Sequence, residues 1–507
     1  MFQKNLLIIC LMMIAFAANA QEGKRYLEPV FDQVTKQTVI YGYNWTILSV
    51  PVTGNATLQP LVGDVYMPTG DTEEQRPLIL YWHSGNFLPY PQNQSVSGTR
   101  SDSTVVTMCT RLAKMGYVVV SCDNRLGWNP TASTQNERVN TLINAAYRGV
   151  QDSRSAIRFF KLQSDAMNID TNKIVLFGQG TGGYISLNTG TLDSYGKIIN
   201  TTMPADKFKD GGIPYIFEAF NGNIDGTTYG VLNVPGHPLE GDTLSIPNNV
   251  GPSSKFQLMV NLAGAIGDIS WLDQNSPAVI SFHSPTDPFA PYTSGVLVVP
   301  VVNLPVVEVQ GSYLIQQKAD QLGLNDAFAD VDFVDPISLA VKAKGNVIPG
   351  LFPIQRPADK VADSSPWDFW DPATNVNHAS GLLTNSDMSK EKATAYMDTI
   401  IGFFAPRACL VLELPCDYTG LTTKKISAEE AGITAMPNPA NDYVTIRSEV
   451  QTIKGIVIYD ASGRAVKAIP NVNGLRYDLQ RNNLPPGVYY AQVRFEKESA
   501  SVKLIFN

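Results

Sequence analysis

The 507-residue chain is short of histidine, with 4, and of charge, with 17% Asp, Glu, Lys and Arg. It has no C-x-x-C pair, which with so few histidines argues against a zinc cage, and no metal or other cofactor is expected. The shortage of charge beside 44% hydrophobic residues excludes disorder over most of the length. Glycine (39) and proline (33) are plentiful but show no period, which excludes collagen. A formal charge of −8 leaves no overall basic footprint, so no nucleic-acid partner is expected. One apolar run stands out, Leu6 to Phe16, and it is shorter than the ~20 residues a spanning helix needs. With Lys4 before it and Ala18-Asn19-Ala20 after it, it reads as a secretory signal peptide over 1–20. Export leaves Cys109, Cys122, Cys409 and Cys416 in an oxidising compartment, where three pairings are open. Cys409 and Cys416 are close enough in sequence to close a small loop, and some of the four can equally be buried thiols.

Two bodies follow. Residues 21–418 alternate short apolar runs with helical patterns. Leu78–Trp82, Tyr117–Val120, Ile174–Phe177, Phe256–Val260 and Ala278–Phe282 read as buried parallel strands. Thr104–Met115, Tyr147–Gln163 and Lys390–Phe404 read as helices, while Thr38–Tyr43 and Leu61–Tyr66 could be leading antiparallel strands. That alternation predicts an α/β fold with helices on both faces of a mostly parallel sheet. Residues 201–255 and 323–377 read as lids or insertions. A polar linker over 419–432 leads to residues 433–507, a run of short strands divided by turns that predicts a small all-β, Ig-like sandwich. There nine Lys and Arg outnumber six Asp and Glu, opposite to the acidic body.

The chemistry sits in Lys173-Ile174-Val175-Leu176-Phe177-Gly178-Gln179-Gly180-Thr181-Gly182-Gly183-Tyr184, a strand entering a glycine-rich turn and then a helix. Gly178, Gly180 and Gly183 meet the spacing of a dinucleotide fingerprint. The acid expected about twenty residues on is missing, and Tyr195-Gly196-Lys197 lies nearby instead. The alternative is the G-x-S-x-G nucleophile elbow, with glycine in the serine position. His83-Ser84-Gly85-Asn86 ends the earlier strand, Asp287 follows a later one, and His378 precedes the last helix.

On these motifs the body resembles the carboxylesterase/acetyl-esterase branch of the α/β-hydrolases. The resemblance implies Asp287 as the acid and His378 as the general base. Gly85, Asn86 and the backbone of Thr181 would form the oxyanion hole. Gly180 departs from the pattern and offers no oxygen nucleophile, so serine-type hydrolysis is expected to be weak or absent while the pocket for a small ester, or an apolar or sugar ligand, is kept. Two alternatives stand beside this pseudoenzyme reading. One is an active esterase that uses Thr181, Ser84 or an activated water; the other is a non-catalytic surface binding protein. Trp367, Phe369 and Trp370 could line a pocket near His378. The tail resembles the type IX secretion C-terminal sorting domain of Bacteroidetes through Met436-Pro437-Asn438-Pro439-Ala440, Ile458-Tyr459-Asp460 with Ser462-Gly463-Arg464, and Leu484-Pro485-Pro486-Gly487-Val488-Tyr489. That implies export to the outside or the cell surface, with the outer-membrane secretion machinery as partner.

Overall fold

The computed structural model describes residues 24–299, 304–329, 331–360, 363–418, 422–461, 465–469, 472–482, 484–496 and 498–507. The expected signal peptide and Ser462-Gly463-Arg464 lie outside them.

The chain divides into two compact units. The first, residues up to 324 and 354–416, is built on seven strands: β1 (Val34–Thr46), β2 (Thr57–Pro68), β3 (Arg76–Trp82), β4 (Val118–Cys122), β5 (Ile169–Gln179), β6 (Leu258–Leu262) and β7 (Ala278–His283). They lie in the order β1-β2-β4-β3-β5-β6-β7. The first two joints are antiparallel, and every joint from β4 to β7 is parallel. Side chains of β3, β4, β6 and β7 are buried at every position, as a sheet covered on both faces requires.

The covering helices are α1 (Ser103–Lys114), α2 (Gln135–Leu162), α3 (Thr181–Thr191), α4 (Ser312–Gln321) and α5 (Lys390–Val411). Helix α2 begins twelve residues before its apolar periodicity does. Thr134 caps it, its hydroxyl accepting from Glu137 N–H at 3.2 Å in a capping-box spacing. Deep in the helix, Asp152 accepts from Arg125 Nε at 2.9 Å and from Arg125 N–H at 2.7 Å, both side chains fully buried. Asp152→Ala leaves the guanidinium buried without its counter-ion, with only Gln151 Oε1 and Leu244 O still accepting from it. It is expected to cost about 3–5 kcal/mol, read as a lower denaturant midpoint.

The insertion 201–255 is tied down. Asn248 and Asn249 donate to the Tyr43 and Tyr41 carbonyls at 2.8 and 2.7 Å, and Arg158 donates to Asn248 O at 2.9 Å. Cys409 and Cys416 form a disulfide, while Cys109 and Cys122 stay as buried thiols whose pKa burial pushes well up.

The second unit takes residues 417–507 and also 325–353. The detour has a local reason: Val331–Phe333 pairs antiparallel with Thr422–Lys424 and adds a strand to the tail's larger sheet. Ile446, Ile456, Ile458, Leu479 and Val493 fill the sandwich core. Among the described residues no helix is long and apolar enough to cross a membrane.

Candidate active site

Strand β5 ends at Gln179, and α3 starts at Thr181. Between them Gly180 has φ +53° and ψ −120°, a left-handed bend that strains any residue with a Cβ. Three hydrogen bonds hold it: its N–H donates to Leu262 O at 2.8 Å, and its carbonyl accepts from Gly183 N–H at 2.9 Å and from Tyr184 N–H at 3.3 Å. The flanking glycines are demanded by close approach. A Cβ on Gly178 would overlap the Gly182 carbonyl, and one on Gly182 would overlap the Trp82 carbonyl. The chain therefore forms the sharp elbow expected from the sequence, with no side chain at its tip.

What fills that tip is Ser84. A Cβ built on Gly180 would overlap the Ser84 hydroxyl and stand 3.0 Å from Ser84 Cβ. Beyond it Asn86 takes φ +58°, stabilised by its side chain donating to Asn93 O at 3.3 Å. His83 fixes the base of this loop. Its Nδ1 faces Ser84 O at 2.5 Å and its Nε2 faces Asp123 Oδ1 at 3.2 Å. Both partners are acceptors, which only the doubly protonated ring satisfies. Burial lowers the His83 pKa, but Asp123 and the Ser84 carbonyl outweigh it, and the net direction is upward. Ser84, Asn86, Gly180, Thr181 and Asp287 share one cavity of about 250 Å³. Its far walls are apolar, with Ile143, Val150, Phe208 and Trp271 among them.

The acid and the base expected from the sequence are not joined. Asp287 Oδ1 accepts from the Phe289 and Ala290 N–H groups at 2.8 and 3.0 Å, and Oδ2 lies 3.5 Å from His283 Nε2. His283 is itself fully engaged, with Nε2 donating to Ala290 O at 3.0 Å and Nδ1 against Ser312 Oγ at 2.8 Å. His378 opens a short helix, His378–Gly381, and its Nδ1 accepts from Trp370 Nε1 at 3.0 Å. An indole N–H only donates, so the proton of neutral His378 sits on Nε2. Among the described residues no hydrogen bond or ion pair connects His378 to Asp287, and His378 does not line the cavity. The order nucleophile, acid, histidine along the chain therefore does not become a triad in space.

The sequence reading missed Asp368. It is buried against the cavity, its Oδ1 accepting from Gln179 Nε2 at 3.3 Å, while Tyr81 donates to Gln179 Oε1 at 2.7 Å. Burial first, and the charge of Asp102 second, push its carboxyl up to about 7. The one available signal was an acid inside the aromatic run Trp367-Asp368-Phe369-Trp370.

The family described as BD-FAE matches residues 63–299, and the secretion system C-terminal sorting domain matches residues 434–507. Residues 63–299 are thus similar to an esterase-like α/β-hydrolase domain and residues 434–507 to a type IX secretion sorting domain. The sorting-domain match indicates export to the cell surface or beyond. Among solved structures, a hyperthermophilic esterase from the archaeon Pyrobaculum calidifontis is 26% identical, with a TM-score of 0.21, over 32% of this chain. The match spans 40% of that esterase's own length. Thermogutta terrifontis esterase 2, phosphorylated by paraoxon, is 14% identical with a TM-score of 0.35, over 73% of this chain and 96% of that one. Brefeldin A esterase is 20% identical with a TM-score of 0.21, over 36% and 43%. No curated protein matches the chain.

Proposed function

We propose that this exported hydrolase-fold protein has given up serine-type ester hydrolysis and keeps its cavity for a small ester or another largely apolar ligand. The observation that carries the reading is the elbow itself: Gly180 holds the strained bend while the Ser84 side chain fills the space a residue-180 side chain needs. Acyl transfer by this template requires an oxygen nucleophile deprotonated by an imidazole. Gly180 supplies no oxygen, and the His378 ring is turned to Trp370. In this reading Asn86 and Thr181 stay on the cavity wall with no oxyanion to hold, and Gly85 is not among the lining residues. Asp287 and His378 are the remnants of an uncoupled pair.

One observation favours a second reading. Ser84 places its hydroxyl at the tip of the elbow, so an esterase with a displaced nucleophile would use Ser84. A fluorophosphonate probe separates the two. The expected outcome is no stoichiometric adduct by intact-mass analysis of the full chain. A single adduct mapped to Ser84 or Thr181 would replace the first reading with the second.

A further inference from the structure

Tyr184 lies in the first turn of α3, one turn past the elbow, and lines the cavity. Its hydroxyl has no hydrogen-bond partner and almost no accessible surface, so a ligand atom meets it only once the ring shifts toward the cavity. An orphaned buried hydroxyl costs about 1–3 kcal/mol, which a partner entering the cavity would recover. Burial, and next to it the charge of Asp287, push the phenol pKa well up, so the group stays a donor. The charged side chains on the cavity wall are Asp287 and Asp368, and no Lys, Arg or His lines it among the described residues. A carboxylate entering this space meets two acids and no cation, and pays its desolvation without compensation.

Resting on the reading of the cavity as a retained ligand site, we propose that it takes uncharged ligands: an apolar chain or ring along Ile143, Val150, Phe208 and Trp271, and a carbonyl or ether oxygen docked on Tyr184 Oη. The free acid of the same skeleton is rejected. An alkylammonium gains from the acids but has no acceptor for Tyr184.

Calorimetric titration of the full chain at pH 8 tests this with 2-decanone, decanoate and decylammonium. The ketone cannot be hydrolysed, so turnover does not disturb the reading. The ketone is expected to bind, decanoate at least about tenfold more weakly, and Tyr184→Phe to weaken ketone binding by about tenfold while its melting temperature is unchanged or higher. Asp368→Asn should narrow the gap between ketone and decanoate. Unchanged ketone affinity in Tyr184→Phe overturns the proposal, and so does decanoate or decylammonium binding as tightly as the ketone. If none of the three binds, this proposal and the retained ligand site both fall, whereas the loss of serine attack is judged by the fluorophosphonate experiment alone.

Discussion

Gly180→Ser is expected to leave ester turnover within about tenfold of the parent protein and to lower its stability. In a working enzyme of this template, removing the serine costs on the order of 10⁶ in turnover. Restoring it here meets two obstacles. The first is steric: at φ +53° a side-chain-bearing residue costs about 1–3 kcal/mol, and its Cβ would overlap the Ser84 hydroxyl. The second is chemical: a serine nucleophile needs an imidazole within hydrogen-bond reach. His378 points Nδ1 at Trp370, and both nitrogens of His283 are already engaged. The double variant Gly180→Ser with Ser84→Gly removes the overlap. It should recover part of the stability and none of the turnover. Thermal melting and hydrolysis of p-nitrophenyl acetate measure both. A gain of a thousandfold in either variant would show that His378 swings into the cavity, and the uncoupled pair would then be the wrong description.

How far the sequence could carry this depends on which part of the fold is local. The strands β3 to β7 were readable because a doubly covered strand is one short apolar run, as in Leu78–Trp82 and Ala278–Phe282. The elbow was readable because Gly178 and Gly182 sit where backbone meets backbone, so residue type alone reports the close approach. The fate of Asp287 was not readable. Asp-Pro-Phe-Ala suits both a catalytic acid and a turn acid, and in the fold its Oδ1 closes a turn on Phe289 and Ala290. Nothing in the spacing of His378 tells which way its ring faces, because that is set by Trp370 across a loop. The detour of 325–353 into the tail unit depends on a three-residue pairing about ninety positions away, which no periodicity announces. Asp368 was hidden for a related reason, since its perturbation comes from burial and from Asp102 on a distant segment.

That hidden carboxyl gives the other large effect. Asp368→Asn is expected to stabilise the protein at pH 8 and to leave it nearly unchanged at pH 4. An unfolded aspartate titrates near 3.9, whereas burial and then the Asp102 charge raise Asp368 to about 7, against hydrogen bonds from Thr104 and Gln179 that pull it down. Between those values the folded chain holds a proton that the unfolded chain has released, so stability falls as pH rises from about 4 to 7 and then levels off for this group. One proton is worth about 1.4 kcal/mol per pH unit, which sets a ceiling of about 4 kcal/mol on what the asparagine can recover above pH 7. Asparagine keeps an oxygen for Gln179 and Thr104 and carries no charge to desolvate. His83 acts in a separate window. Its raised pKa contributes stability that is full below about 6.5 and is lost above it, and Asp123, whose pKa is lowered by His83 and Arg100 against its own burial, gives way only in acid. Melting curves at half-unit steps from pH 4 to 8.5 resolve the two. The parent should lose stability across pH 4 to 7 and the Asp368→Asn variant should not. Parallel curves would mean that Asp368 is ionised in the fold at neutral pH, with a compensating cation or water at the cavity wall.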